Sequence, residues 1–249
     1  MKQAFLDVRG LNKHFGGLHA IRDVDFCLAE GEKSAIIGPN GAGKSTFFNL
    51  LTGYHRIDAG KVLFDGTDIT NRASHVIARE GVARAFQIIN IFPRLSVFHN
   101  VRSAVQAQMG RSFSLFERAN QIGNDKTGEI IELCGLGGKE NDLAGELSQG
   151  DKKKLELALA LAGRPKLLLL DEPTAGMSLE ETRETMSLVD RLNQEHNISI
   201  LFTEHDMSVV FDHAQKITLL HYGEVVLAGT PEEVRSDKSA QRIYFGEHT

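Results

Sequence analysis

The sequence lacks a basic excess. Its formal net charge is −5 at pH 7, and phosphate backbones select basic surfaces, which argues against a general nucleic-acid binder. Cysteine is scarce. Cys27 and Cys134 stand far apart without metal-ligand spacing. They read as reduced cytosolic thiols, not as a disulfide or a zinc site. No apolar run approaches the ~20 residues of a membrane span. The longest candidates, "LELALALA" and "KLLLL", are core-sized. The start, "MKQAFLDVRG", has no apolar run followed by a small-residue cleavage site, so no signal peptide is expected. Internal repeats and low-complexity tracts are missing too. The expectation is a soluble chain that would reach a membrane only by docking onto another protein.

What is present suffices for a packed core. Of the 249 residues, 41% are hydrophobic and 24% charged, which suits one domain with a subdomain. Through about Phe64, short runs such as "FLDVRG", "IRDVDFCL" and "KVLFDG" alternate apolar and polar residues between glycines. That pattern predicts antiparallel strands. "SAIIG" is a short strand running into a glycine-rich turn, and "KSTFFNLLTG" reads as a helix stopped by Gly53. "KLLLLD" and "ISILFTEH" are continuous apolar runs, as in strands buried on both faces. Between them, "LEETRETMSLVDRLNQEH" is an amphipathic helix. Strand–helix–strand alternation predicts an α/β core. The stretch from about Ile88 to Arg164 is richer in helix formers and reads as an inserted helical subdomain, leaving a core of about 1–87 and 165–249. "LELALALA" alternates like a strand, but Leu, Ala and Glu are strong helix formers and nothing in it is β-branched, so a helix is predicted.

Gly38-Pro39-Asn40-Gly41-Ala42-Gly43-Lys44-Ser45 fits G-x-x-x-x-G-K-[ST], the Walker A pattern. Glycines let successive N–H groups turn inward around an anion. The following helix, continuing through Thr46, points its positive end at the same place. Lys44 is placed to reach the β- and γ-phosphates of ATP, and the Ser45 hydroxyl to coordinate Mg²⁺. In "LLLLDE" an apolar strand ends in Asp171-Glu172, where α/β sheets bind ligands. Alone, two acids there would suit a helix cap. With the cradle present, Asp171 is the candidate Mg²⁺ carboxylate and Glu172 the candidate general base for attack on the γ-phosphate. His205 in "FTEHDM" follows the next apolar strand and is the candidate γ-phosphate sensor among ten histidines.

The order Walker A, Gln87 in "ARAFQ", "LSQGD", "LLLLDEPTAG" and "TEHD" resembles the nucleotide-binding domain of an ABC transporter, over essentially the whole chain. The resemblance implies a P-loop NTPase fold: a RecA-like parallel sheet, an N-terminal antiparallel β region and an inserted helical subdomain. It implies a head-to-tail dimer with a second ATP-binding subunit, itself or a paralogue. In such a dimer Ser148 and Gly150 of the signature loop contact ATP held by the other chain. Gln87 begins the loop that senses Mg²⁺ and touches the membrane subunit, and Phe15 stacks on adenine.

Ser148 can also cap the helix "DKKKLELALALA", with Asp151 completing an S-x-x-D capping box. Asp151 departs from the usual Gln. It is expected to cap its own helix, point away from the phosphate, and have its charge offset by Lys152 to Lys154. That lysine run reads as a solvated face, with a phosphate or cross-chain contact as the rival. Ser178 in "PTAGMS" stands where many members have Asp.

Within the family, "FGGLHAIRDVDF", "GVARAFQIINIFPRLSVFHNV", "DEPTAGMS", "TEHDMSVVF" and "RIYFGE" are similar to the LivG-type branched-chain amino acid importer group. That resemblance implies a peripheral subunit on the cytoplasmic face of a bacterial inner membrane. Two permease subunits would be its direct partners, and a periplasmic or extracellular solute-binding protein an indirect one. Phe92, Leu95, Val97 and Phe98 could line the groove that receives a permease helix, or equally pack in a core. Urea or amide import and lipopolysaccharide export stay open as alternatives. A soluble ABC ATPase of DNA repair or translation is disfavoured because no coiled coil, zinc module or tandem domain appears. A kinase has no need of "LSQGD", and a GTPase would show N-K-x-D.

Overall fold

Alternation builds the first layer. In the 11 residues of β2 (Leu18–Leu28), Ile21, Val24, Phe26 and Leu28 are buried, while Arg22, Asp25 and Cys27 face water. Strand β1 (Leu6–Phe15) pairs antiparallel with β2 and with β4 (Ala59–Phe64), and β4 pairs with the short β5 (Thr67–Asp68). The structure, a computed structural model, describes residues 4–85, 91–109 and 123–245, with side chains to residue 243.

The second sheet carries the site. Its strands are β3 (Lys33–Ile37), β6 (Val82–Ala85), β7 (Leu167–Asp171), β8 (Ser199–Thr203), β9 (Lys216–His221) and β10 (Glu224–Gly229). Their order is β10-β9-β3-β8-β7-β6, parallel except for the β9–β10 hairpin. Every residue of β3, β7 and β8 is buried. The reason is two cores, one on each face. Ala35, Ile37, Leu168, Leu170, Ile200 and Phe202 face one core, and Ile36, Leu167, Leu169 and Leu201 face the other. Period-2 alternation therefore persists, but both phases must be apolar.

Helix α1 (Lys44–Leu51) follows β3, and α2 (Ser74–Glu80) precedes β6. Between β6 and β7 come α3 (Val97–Gln108), α4 (Asn124–Leu133) and α5 (Gln149–Ala162). "LELALALA" lies inside α5, as its residue types predict. Helix α6 (Leu179–His196) links β7 to β8, and α7 (Met207–His213) links β8 to β9. The chain closes with α8 (Pro231–Ser236) and α9 (Lys238–Phe245). Among the described residues no helix is long and apolar enough to cross a membrane. Both cysteines are free thiols. Burial pushes the Cys134 thiol up to about 12, which makes it inert.

One buried acid sits in α5. Glu156 is packed into the helix's inner face, and its Oε1 has no hydrogen-bond partner among the described residues. Burial pushes its carboxyl up to about 7, with Lys153 working against that rise. A carboxyl raised in the folded state gives stability that is complete below about 4.5 and is lost as pH rises to about 7. Glu156→Gln removes this titration. Its melting temperature should therefore gain on the parent as pH rises from 5 to 8. A difference that stays constant over that range would contradict the assignment.

Candidate active site

Three loops leave one level edge of the sheet. Parallel register sets Thr203 beside both Ile36 and Asp171. The residues just beyond, Gly38, His205 and Glu172, emerge together.

After β3 the chain turns at once into α1. Gly38 passes so near β9 that a Cβ would lie 2.2 Å from the Leu220 carbonyl oxygen. Gly43 has φ +108°, a conformation that a side chain would strain. Helix α1 has no side-chain cap, so an anion is the natural partner of its first amides. Lys44 is buried over this turn, and its Nζ donates to the carbonyl oxygens of Gly38 at 2.5 Å and Pro39 at 3.2 Å. Burial pushes its ammonium below the usual range, and Glu172 and Asp171 oppose the shift. Phe15, Asn40, Gly41, Ala42, Gly43, Lys44, Ser45, Thr46 and Glu172 share one cleft of about 310 Å³. Phe15 is 40% exposed there. Its ring meets the His55 ring edge-on and has the Lys13 ammonium 5.3 Å from its centre.

The carboxylates are held differently. Asp171 is buried. Its Oδ1 accepts from the Thr203 hydroxyl and its Oδ2 from Arg84 Nη2, each at 2.7 Å. Glu172 is half exposed with φ +53°, a strained conformation for a residue with a side chain. Its amide donates to the carbonyl and hydroxyl oxygens of Thr203. Its Oε1 lies 2.9 Å from His205 Nε2. His205, expected on a phosphate oxygen, is thus engaged by the candidate base.

The donors suit Mg²⁺. Ser45 and Asp171 offer oxygen only, and among the described residues no cluster of three or more His, Cys, Asp or Glu could hold a metal. Mg²⁺ keeps several waters and takes one or two carboxylates plus substrate phosphates. A carboxylate has about four lone-pair sites, so Asp171 retains acceptor capacity beyond its two bonds.

The start of α5 corrects three expectations. Ser148 Oγ does accept from the Asp151 amide at 3.1 Å. The Asp151 carboxylate, however, pairs with Lys139 and does not close a capping box. A complete box occurs instead at α6, between Ser178 and Glu181. The charge of Asp151 is offset by Lys139, not by Lys152 to Lys154. The lysine run is not a solvated face either. Lys153 is buried, and its Nζ donates to the carbonyl oxygens of Glu172, Pro173 and Ala175 at 3.1, 3.1 and 2.9 Å. Lys154 pairs with Glu184 at 2.8 Å. Helical spacing is the reason: Lys153 lies three and four residues before the buried Glu156 and Leu157. Ser148 is exposed, Gly150 is buried against Glu181, and neither lines the cleft of its own chain. Gln87 lies outside the described residues.

Of the four groove candidates, Phe92 and Leu95 are exposed, Val97 is fully buried, and Phe98 packs partly against the core. Sequence reasoning missed Arg84, Thr203, Lys153, Glu204 and Tyr222. Glu204 is buried and accepts from both the amide and hydroxyl of Thr174 at 2.7 Å. Tyr222 lines the cleft. The visible signals were an arginine inside the strand "VARA" and the helical spacing that puts Lys153 on the inner stripe.

A strand–loop–helix anion cradle after β3, with a paired carboxylate at the end of β7 one strand beyond β8, defines a P-loop nucleoside triphosphatase. The family model described as ABC transporter matches residues 21–175, and the chain belongs to that family. It is an ABC-type ATP-binding subunit, an ATPase coupled to transport. The chain is 37% identical to the Escherichia coli (strain K12) high-affinity branched-chain amino acid transport ATP-binding protein LivG, over 99% of this chain and all of that one. It is 34% identical, with the same coverage, to the Pseudomonas aeruginosa protein BraF, which has the same description. The fold matches the ADP conformation of MJ1267, an ATP-binding cassette of an ABC transporter, with TM-score 0.87 and 27% identity over 99% of this chain and 100% of that one.

Lys153 holds the strained turn of Glu172 from beneath. Lys153→Met keeps the length and leaves three carbonyls without this donor. ATP binding should be unchanged while turnover falls about 10- to 100-fold, the scale of a misplaced catalytic group. Calorimetry and steady-state kinetics separate the two. Full turnover in the variant would contradict the role.

Proposed function

We propose that this chain is the energising subunit of a branched-chain amino acid importer. It works on the cytoplasmic face of a bacterial inner membrane, bound to two permease subunits that receive solute from a binding protein. The observation that carries this reading is the near full-length likeness to LivG and BraF.

The site supports a mechanism. ATP is the substrate, seated on the loop from Gly38 to Thr46, with its phosphates on the N–H groups that follow Pro39 and on the Lys44 ammonium, and its base on Phe15. Ser45 and Asp171, together with Gln87 as the family resemblance implies, would hold Mg²⁺, which would supply neutralisation of the charge developing on the phosphates. Glu172 orients and polarises the attacking water. His205, hydrogen-bonded to Glu172, fixes the carboxylate and reaches the γ-phosphate. A second ATP-binding chain closes the site head to tail, presenting its Ser148 and the start of its α5 to the phosphate.

ATP binding closes the pair and hydrolysis reopens it. The helices between residues 88 and 164 carry that motion to the permease. Phe92 and Leu95, both exposed, are the apolar contacts offered to a permease helix, and Val97 belongs to the core.

A Glu172→Gln pull-down from solubilised membranes with ATP tests this reading. Mass spectrometry should recover two polytopic permease subunits and an ATP-binding chain. Recovery of a soluble partner alone would overturn the transporter reading. Recovery of permeases encoded beside a urea, amide or lipopolysaccharide system would overturn the solute.

A further inference from the structure

We propose that Arg84 is a positioning residue for the Mg²⁺ side of the site, acting through Asp171. This rests on the reading of Asp171 and Ser45 given above. Arg84 belongs to β6, beside Leu169 of β7. Its Nη2 donates to Asp171 Oδ2 at 2.7 Å and its Nη1 to Asn49 Oδ1 at 2.6 Å. The guanidinium carbon lies 5.5 Å from the centre of the Phe48 ring. Asn49 and Phe48 are on α1, the helix of the cradle. One planar cation thus ties the helix below Lys44 and Ser45 to the carboxylate at the end of β7.

Stability alone is a poor reason for this arrangement. The Arg84 side chain is 12% exposed and that of Asp171 8%. Buried ion pairs of this kind are often no more stabilising than apolar residues of the same volume. Burial pushes the guanidinium below its usual range, and the bond to Asp171 works against that. Geometry is the better reason. With Thr203 on Oδ1 and Arg84 on Oδ2, the carboxylate cannot turn.

A positive charge beside a metal site also repels the metal, so two effects compete. Mg²⁺ demands near-ideal octahedral geometry, and outer partners that orient a ligand are worth much metal affinity. The charge of Arg84 is already met by Asp171, so orientation outweighs repulsion. A lysine would have to reach both acceptors from a single nitrogen, without the planar fork that fixes the direction of each bond.

The test uses Mn²⁺ as a paramagnetic stand-in, titrated by electron paramagnetic resonance in the presence of adenylyl imidodiphosphate. Arg84→Gln and Arg84→Lys should each lose Mn²⁺ affinity, by roughly tenfold for Arg84→Gln. Binding of the same nucleotide without divalent cation should stay within about twofold of the parent in both. Unchanged or tighter Mn²⁺ binding would overturn the proposal. So would an equal loss of metal-free nucleotide binding, which would mean that Arg84 only braces α1 through Asn49. If Arg84→Gln does not fold, Arg84→Lys decides the matter, since it keeps the charge and loses the fork. Ser45→Ala and Asp171→Asn test the underlying reading. If neither changes Mn²⁺ affinity, that reading fails, whereas loss in these two with none in the Arg84 variants removes Arg84 alone.

Discussion

Everything at this site depends on keeping the ends of three buried parallel strands level. Thr203 pairs in register with Ile36 on one side and Asp171 on the other. From that shared rung the chain sends out a phosphate cradle, a carboxylate pair and a histidine. A one-residue slip in any strand would turn its side chains to the opposite face. It would also separate Asp171 from the Thr203 hydroxyl that fixes it. Two apolar cores hold the register, one above and one below, and this is why the strand centres read as continuous apolar stretches, Ala35 to Ile37, Leu167 to Leu170 and Ile200 to Phe202.

On that level edge the polar groups divide the work. Lys44 and Lys153 are buried cations and Arg84 a partly buried one, each serving a different partner. Lys44 lies over the cradle, Arg84 clamps Asp171, and Lys153 supports the backbone from Glu172 to Ala175. Lys153 belongs to the helix that Ser148 begins. In the proposed dimer that helix start faces the ATP of the neighbouring chain. One helix would then touch the neighbour's phosphate at its tip and support its own chain's catalytic turn one turn later. That would be a direct mechanical link between the two composite sites.

Much of the fold was legible in the sequence because its signals are local. Helix α6 spans the amphipathic stretch read from periodicity, and α5 follows residue type against a misleading alternation. The cradle was legible for the same reason, since glycines, a lysine and a serine at fixed spacing need no knowledge of the rest of the chain. Groups that meet only through the sheet were not legible. Arg84 and Asp171 are 87 positions apart, and only the β6–β7 pairing shows that they touch. The lysine run misled because composition suggested a charged face, while helical spacing already placed Lys153 on the inner stripe with Glu156 and Leu157. For Asp151 the partner was Lys139, 12 residues away across a turn, where composition pointed to its immediate neighbours.

The central claim is that hydrolysis requires a site built from two chains, with the cradle and Glu172 from one and the start of α5 from the other. The most direct measurement is the solution mass of the Glu172→Gln variant by sedimentation, with ATP and with ADP. The account predicts a shift from 27.4 kDa to twice that mass with ATP only. A variant that stays at the mass of one chain under saturating ATP would contradict it.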